Sequence, residues 1–290
     1  MYEILFISLP KINNTMLNFL SFGSGSSGNC YYLYTSTDGL IIDAGVGIRT
    51  LKKYFRDYGL SLSMVKNVLV THDHADHVKC VGSLSKDRDL PVYSTKEVHD
   101  GINKNYCVHR KIPAEYQILV EKGHRYQLGD FLVTPFGVPH DSVDNVGYHI
   151  EVEGVHFVIM TDIGEVTDEM KEMIAIADYL VIEANYDKEM LQNGHYPEYL
   201  KKRILSGTGH LCNHDCGVAL AENMSEQLKR VWLCHLSEEN NHPELARKTV
   251  EAVLRSYGVV VGKDIELEVL KRTIPTGIFE LATMQVQDNQ

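Results

Sequence analysis

The 290-residue sequence lacks the long apolar runs, the basic excess and the cysteine pairs that mark several protein classes. No apolar stretch approaches the ~20 residues that a membrane helix requires, so we expect no membrane partner. Asp and Glu number 39 against 28 Lys and Arg, and the formal net charge is −11. This balance argues against nucleic-acid binding through a broad basic surface, because phosphate neutralisation supplies most non-specific affinity. Any polyanion must then be held locally.

Linkers and processing signals are also missing. No Pro/Ser linker, charge run or low-complexity segment divides the chain, so we predict one domain over residues 16–290, preceded by an extension over residues 1–15. The six cysteines form no CxxC pair, and a chain of this length needs no disulfides to build a core. The first residues carry no basic stretch or cleavage site. We expect reduced thiols and a cytoplasmic location, with translation starting at Met1 or Met16.

Strand and helix patterns follow one another in two similar halves. The first half has strand patterns at residues 18–22, 31–34, 40–43 and 66–71, with a helix pattern at 48–58. The second has strand patterns at 131–138, 146–152, 155–161, 179–183, 230–235 and 265–269, with helix patterns at 166–176, 199–205, 218–224 and 243–256. This order predicts an α/β (α+β) fold of two sheets packed face to face with helices outside.

The most specific motif is the histidine cluster THDHADH, residues 71–77, directly after the strand pattern VLV. We expect HxHxDH by chance in roughly one of several hundred chains of this length. In a loop leaving a strand, His72 and His74 can face one metal ion while Asp76 and His77 turn towards a second. Mixed nitrogen and oxygen donors suit zinc, which keeps an open position in catalytic sites. The cluster therefore predicts a metal centre rather than a solvated polar loop.

Two metal ions need further ligands, and three residues at the ends of apolar runs can supply them. His140 follows FLVTPFGV, Asp162 follows VHFVIMT and His235 follows RVWLC. A fold holds such positions rigidly while leaving them accessible. Each residue alone is typical of an ordinary surface position. As a set behind HxHxDH they are interpreted as ligands, with the single carboxylate of Asp162 able to bridge both ions.

In this order, HxHxDH, His140, Asp162 and His235 resemble the metal-binding motifs of the metallo-β-lactamase fold superfamily, from residue 16 onward. The resemblance implies an αββα four-layer sandwich, two mixed β-sheets with helices outside, and one or two zinc ions, with manganese or iron as alternatives. More narrowly, FGSGSSGN, HDSVDNVGY, EANYD, GHLCN and HLSEENN resemble the YycJ/WalJ subgroup, which implies exonucleolytic DNA degradation. Cys212, Tyr186 and Asn145 depart from that pattern, where serine, histidine and proline are expected.

The resemblance and the residue chemistry together assign roles to the site residues. We expect His72, His74 and His140 to bind one divalent ion, Asp76, His77 and His235 to bind a second, and Asp162 to bridge the two. A hydroxide between the ions would attack phosphorus in line, because metal coordination lowers the pKa of water towards ~7. Asp76 and His210 are the predicted catalytic residues. His210, in the loop GTGHLCN before a helix capped by Asn213, would protonate the leaving alkoxide, the alternative being that it orders its loop.

Other residues are candidates for supporting the site. Asp141 and Asp144 could orient His140, and Asn185 could face the centre. The loop GSGSSGN, residues 23–29, is interpreted first as a flexible hairpin connection and second as a nest of backbone N–H groups near a substrate phosphate.

The function favoured by these motifs is a metal-dependent phosphodiester hydrolase, a DNA exonuclease. Alternatives in the same fold are a thioesterase or lactonase and a tRNA-processing nuclease, although the 48 residues between Asp162 and His210 leave no room for the clamping insertion of the β-CASP branch. A non-enzymatic metal-binding regulator is an alternative of another class. Two divalent ions would attract phosphate locally despite the overall acidity, helped by the basic residues 201–203 or 229–230. The sequence leaves the native metal, the cleavage polarity and the oligomeric state open.

Overall fold

The strand patterns of both halves form two seven-stranded sheets in the computed structural model, which describes residues 16–281. The strands are β1 (Leu17–Gly23), β2 (Cys30–Tyr34), β3 (Gly39–Ile42), β4 (Val65–Leu69), β5 (Val92–Ser94), β6 (Gln117–Leu119), β7 (Tyr126–Leu128), β8 (Phe131–Gly137), β9 (Val146–Val152), β10 (Val155–Met160), β11 (Tyr179–Glu183), β12 (Arg230–Cys234), β13 (Glu266–Val269) and β14 (Phe279–Leu281). The predicted extension, residues 1–15, lies outside the described residues. That residues 16–290 form one domain stays a prediction.

Both sheets are mixed and share one plan. The first has the order β14-β1-β2-β3-β4-β5-β6, antiparallel from β14 to β3 and parallel from β3 to β6. The second has the order β13-β12-β11-β10-β9-β8-β7, parallel from β13 to β10 and antiparallel from β10 to β7. The two similar halves read from the sequence therefore correspond to two sheets of matching topology, except that β14, from the second half, forms the edge of the first sheet.

Nine α-helices, counted within residues 16–281, connect or cover the strands. They are α1 (Ile48–Asp57), α2 (Ala75–Val78), α3 (Val81–Arg88), α4 (Lys96–Lys104), α5 (Asp168–Ile176), α6 (Lys188–Asn193), α7 (Glu198–Ile204), α8 (Asn213–Asn223) and α9 (Pro243–Ser256). Over the described part of the chain, none of these helices is long and apolar enough to cross a membrane.

Three layers of apolar side chains hold the molecule together. One lies between the two sheets, and the other two lie between each sheet and its helices. The central layer is built around Trp232, whose ring centroid is 4.7 Å from that of Phe19 and 5.1 Å from that of Phe279. Each large side chain buried there contributes about 1.5–3 kcal/mol to stability. The layers confirm the predicted αββα sandwich.

Residues 75–128 contain most of the elements that the sequence patterns did not reveal. Their strands have only three residues each, too short for a periodic signal. The predicted cap of α8 was wrong by one residue. Cys212 is the N-cap, because its Sγ accepts a hydrogen bond from the backbone N of Asp215 at 3.3 Å, and Asn213 is the first helical residue.

Candidate metal centre

The predicted ligands come from loops that leave parallel strands of both sheets. His72 follows β4, Asp162 follows β10 and His235 follows β12. The carboxyl ends of parallel strands meet at one edge of a sheet. The loops that follow these strands therefore converge at one edge of the two packed sheets. The structure brings all seven predicted ligands into this place, in overlapping groups whose donor atoms lie within 4.8 Å of one another.

The first group contains His72, His74 and His140. Their ring centroids are 4.6 to 5.2 Å apart. Nε2 of His72 and Nε2 of His140 are buried without a hydrogen-bond partner among the described residues, a costly arrangement unless a ligand completes it. Burial is the main cause that lowers the pKa of the His72 and His140 imidazoles, and the pKa of His72 lies well below its usual value. Neutral imidazoles with free lone pairs are the form that binds metal, so the group fits a divalent ion.

The second group contains Asp76, His77 and His235. Oδ2 of Asp76 lies 3.4 Å from Nε2 of His235 and 3.6 Å from Nε2 of His77. Two imidazoles and one carboxylate are a common donor set of catalytic zinc sites. This group therefore fits a second divalent ion.

Asp162 stands between the two groups. Its Oδ2 lies 3.2 Å from Nε2 of His77, and its Oδ1 lies 3.7 Å from Nε2 of His140 and 3.3 Å from Nδ1 of His235. Burial opposes ionisation of this carboxyl, but the charges of His235 and His77 outweigh it and hold the pKa well below its usual range. This ionised carboxylate therefore contacts both groups, with Oδ2 beside the second group and Oδ1 between the first and the second.

Backbone strain is concentrated at this centre. Among the described non-glycine residues, five have a positive φ, and Asp43, Asp162 and His235 are three of them, with φ of 60°, 55° and 52°. Asp43 and His235 directly follow strands β3 and β12, and Asp162 follows β10 after one intervening residue. A left-handed conformation costs such residues on the order of 1 kcal/mol or more and persists where the surrounding structure fixes it. All three side chains contact predicted metal ligands.

Asp43 is a site residue that the sequence interpretation missed. Its Oδ2 accepts a hydrogen bond from Nδ1 of His77 at 2.7 Å, and its Oδ1 accepts one from the backbone N of Thr71 at 2.8 Å. A carboxylate on Nδ1 fixes the ring and leaves Nε2 for a metal ion. The signal was present, because Asp43 ends the apolar run LII just as Asp162 follows its own strand.

Glu183 is the second missed residue. It is the last residue of β11 and fully buried, and its carboxylate accepts hydrogen bonds from Nδ1 of His210 at 2.8 Å and Nδ1 of His235 at 2.9 Å. The backbone N atoms of Ile163 and Leu211 donate to its Oε2. Glu183 thus holds the predicted proton donor beside the predicted ligands. The charged residue at the end of the run YLVI was its sequence signal.

His210 lies at the edge of the centre, with 18% of its side chain exposed. Its Nδ1 is 3.8 Å from Oδ1 of Asp162, and its ring centroid is 5.1 Å from that of His140. Burial works against protonation, but the charge and hydrogen bond of Glu183 prevail and raise the pKa of His210. A protonated imidazole held through Nδ1 leaves Nε2 as the atom that can donate a proton.

The glycine-rich loop 23–29 supports the ligands directly, which neither interpretation of it anticipated. Oγ of Ser24 accepts a hydrogen bond from the backbone N of His235 at 2.9 Å. Nδ2 of Asn29 lies 2.8 Å from Nε2 of His77 and 3.3 Å from Oδ2 of Asp76. A side chain on Gly45 would collide with the backbone oxygen of Asp76, so glycine is required for this close approach.

The other predicted supporting residues have different outcomes. Oδ1 of Asp141 is 3.3 Å from Nε2 of His140, whereas Asp144 accepts hydrogen bonds from Thr95 and Lys122 instead. Nδ1 of His140 donates to the backbone oxygen of Gly209 at 3.0 Å. The expectation that Asp144 orients His140 was therefore wrong.

Asn185 and the three departures from the subgroup pattern have the following contacts. Nδ2 of Asn185 donates to the backbone oxygen of His235 at 2.7 Å and lies 3.3 Å from Nδ1 of the same histidine, so Asn185 contacts a predicted ligand. Asn145, a departure from the subgroup pattern, donates to the backbone oxygen of Asp162 at 3.0 Å. The other two departures, Tyr186 and Cys212, face each other across a short parallel bridge.

Only one of the two predicted basic patches lies near the centre. Arg203 forms an ion pair with Asp141, beside His140. Lys229 and Arg230 lie at the start of β12, at the opposite end of this strand from His235, so the suggestion that they widen the site was wrong. Lys229 is paired with Asp178 there, at 3.1 Å.

Comparisons with known proteins agree with this geometry. The family model of the beta-lactamase superfamily domain matches residues 39–236. The chain is 36% identical to a Bacillus anthracis protein named exodeoxyribonuclease YycJ, over 90% of this chain and 98% of that protein. It is 35% identical to a Streptococcus pneumoniae protein named exodeoxyribonuclease WalJ, over 84% and 90% of the two chains.

A solved structure supports the same assignment at the level of the fold. The metallo-β-lactamase fold protein YhfI from Bacillus subtilis superposes with a TM-score of 0.68 at 18% identity, over 92% of this chain and 99% of that one. The family match covers the strands that carry every predicted ligand from His72 to His235. The chain therefore belongs to the metallo-β-lactamase fold superfamily, is similar to YycJ and WalJ over most of its length, and is a metallo-hydrolase.

Proposed function

We propose that this metallo-hydrolase removes nucleotides from an end of DNA, using two divalent ions held by the seven predicted ligands. Zinc is the first candidate and manganese or iron the alternatives, because the donors are imidazoles and carboxylates. The observation that carries the proposal is the position of Asp162 between two complete donor groups, with His210 and Glu183 beside them. The names of the two relatives supply the substrate class.

The residues of the chain have separable tasks in this proposal. Bound divalent ions would supply an activated water and stabilise charge on phosphoryl oxygens. Asp76 and Asp162 hold negative charge at the centre, while Asp43 and Glu183 fix the imidazoles that point into it. His210 holds a proton at Nε2, next to the centre, where the leaving alkoxide needs one.

The absence of a large insertion favours DNA over structured RNA. Between Asp162 and His210 the chain forms only α5, β11, α6 and α7, as judged from the residues described there. A clamping domain of the β-CASP type is therefore not present in this interval. We place the protein in the cytoplasm, where its six free cysteines would stay reduced.

Metal analysis coupled to a gel assay tests the proposal. The substrates are end-labelled single-stranded and double-stranded DNA, RNA of the same sequence, closed circular DNA, and a thioester and a lactone. We expect about two metal ions per chain and shortening of linear DNA, with no cutting of circles. Chelation should stop the shortening and added metal should restore it.

The same assay separates the alternatives. Hydrolysis of the thioester or lactone without DNA shortening would indicate a small-molecule hydrolase. Cleavage restricted to RNA would indicate a tRNA-processing nuclease. Bound metal without cleavage of any substrate would leave a metal-binding regulator. Each of these results contradicts the proposal.

A further inference from the structure

A segment next to the metal centre has the opposite charge to the rest of the chain. Residues 101–114, here called the basic loop, carry Lys104, Arg110 and Lys111 and contain no Asp or Glu, whereas the whole chain has a net charge of −11. The segment begins in the last turn of α4 and ends at the short 3-10 helix Ala114–Tyr116. None of the predicted metal ligands lies in the basic loop, so the proposed metal centre gives this segment no role.

The basic loop is attached to the metal-binding loop itself. Nδ2 of Asn105 donates to the backbone oxygen of Asp73 at 2.7 Å, and Asp73 stands between His72 and His74. A side chain on Gly101 would collide with the carboxylate of Asp73, so glycine lets α4 lie directly on this loop. Residues that follow Asn105 are thus held beside the first donor group.

Tyr106 forms the tip of a rigid turn. Nζ of Lys111 donates to the backbone oxygens of Asn105 at 2.6 Å and Ile102 at 3.1 Å, and the backbone N of Cys107 donates to Oδ1 of Asn105 at 2.9 Å. Tyr106 is 88% exposed, and no hydrogen bond or ring contact joins it to another residue of the described chain. The protein thus presents an open aromatic face on a fixed backbone.

The carboxylates around the centre offset the positive charge that metal ions would bring. Two divalent ions would add +4, and the carboxylates of Asp43, Asp76, Asp162 and Glu183 together carry −4. The centre then attracts a DNA strand only at short range. Arg110 is paired with Asp87, but neither Lys104 nor Lys111 forms an ion pair with a carboxylate of the described residues. Nζ of Lys111 is already held by two backbone oxygens, which leaves Lys104 as the cation available for phosphates that lie outside the centre.

We propose that the basic loop binds the single-stranded end of a DNA substrate, with Tyr106 stacked on a base and Lys104 beside the backbone phosphates, while Lys111 fixes the turn that carries Tyr106. This inference rests on the proposed function. Exposed aromatic rings next to lysines are the general means of binding single strands, because every base offers a face for stacking. The hydrogen bond from Asn105 to the backbone of Asp73 attaches this surface to the loop that carries His72 and His74.

Binding measurements with stacking variants test the inference. The metal-loaded protein is titrated into a fluorescein-labelled single-stranded 12-mer with phosphorothioate linkages, which slow cleavage, at fixed salt. Tyr106→Ala should bind about 5- to 150-fold more weakly, the range expected for one base stack. Tyr106→Trp should bind at least as tightly as the unaltered protein. Tyr257→Ala is the matched control, since Tyr257 is a half-exposed tyrosine at the far end of α9.

A second measurement identifies the stacked base. Replacing each nucleotide in turn with an abasic residue should weaken binding of the unaltered protein most at one position, and Tyr106→Ala should be insensitive there. 2-Aminopurine at that position should be quenched by the unaltered protein and not by the variant. Equal affinity of Tyr106→Ala, or abasic effects that do not depend on Tyr106, would overturn the inference while DNA cleavage still stood. Absence of both DNA binding and cleavage by the unaltered protein would overturn the proposed function as well.

Discussion

Oε1 of Glu183 lies 2.8 Å from Nδ1 of His210, and the same oxygen lies 2.9 Å from Nδ1 of His235. One buried carboxylate thus orients both the proposed proton donor and a proposed metal ligand. The arrangement links the position of the proton to the position of the metal ions. A change at Glu183 should therefore affect turnover through two imidazoles at once.

Glu183→Gln should lower turnover by about 10- to 100-fold, the usual effect of changing a residue that orients metal ligands. Glutamine keeps the shape of the glutamate side chain. It carries no negative charge, so it cannot attract the two imidazoles as the carboxylate does. Because Glu183 raises the pKa of His210, its neutral replacement should move the basic limb of the pH–rate profile to lower pH. Glu226→Gln, at an exposed glutamate before β12, is the control. An unchanged profile in Glu183→Gln would contradict this role.

His74→Ala and His210→Ala should have different effects on metal content. His74→Ala removes a donor of the first group, so both bound metal and DNA cleavage should be lost. His210→Ala should keep its metal and lose about 10²- to 10⁴-fold in turnover, the usual contribution of a general acid. Metal analysis and the gel assay on both proteins check this, with the exposed His195→Ala as control. Similar activity in the two variants would refute the assignment.

Asp43→Asn should weaken metal binding by about 10- to 100-fold without unfolding the protein. Asparagine tolerates the left-handed backbone at this position, so the change keeps the backbone but removes the negative charge and one acceptor oxygen beside Nδ1 of His77. Titration with a fluorescent zinc chelator measures the affinity. Asp38→Asn is the matched control, because Asp38 is a buried carboxylate at the other end of β3. Equal losses of affinity in the two variants would show that Asp43 has no specific role.

Stability in mild acid should depend on His149, away from the metal centre. Burial, with the charge of His156 next, lowers the pKa of His149 to about 4, and its Nε2 lies 2.8 Å from Nδ1 of His156. Between pH 6.5 and 4 the unfolded chain therefore binds a proton that the folded chain does not, and this group destabilises the fold as the pH falls.

Urea unfolding at pH 7, 6 and 5 measures this effect. His149→Gln should lose less free energy of unfolding than the unaltered protein over this range, while His124→Gln, at an exposed histidine, should match the unaltered protein. The same pH dependence in all three proteins would contradict the prediction.

Sequence patterns identified the candidate metal ligands better than the residues that contact and orient them. HxHxDH, Asp162 and His235 are recognisable because metal donors are chemically distinctive and follow strands. Asp43 and Glu183 act through contacts with His77 and His210, residues 34 and 27 positions away, and such contacts form only once distant segments of the same half of the molecule have packed together. The expected cap at Asn213 failed for a local reason, since the thiol of Cys212 takes the capping position.

Strand β14 pairs with β1, with Leu281 opposite Leu17 and Phe279 opposite Phe19. While the chain emerges from the ribosome, β1 is made early and its partner is among the last described residues to appear. The outer edge of β1 therefore stays unpaired through nearly all of synthesis, and open strand edges favour contacts between chains. Nascent or truncated forms that end before Phe279 are expected to be the species of this protein most prone to aggregate and most dependent on chaperones.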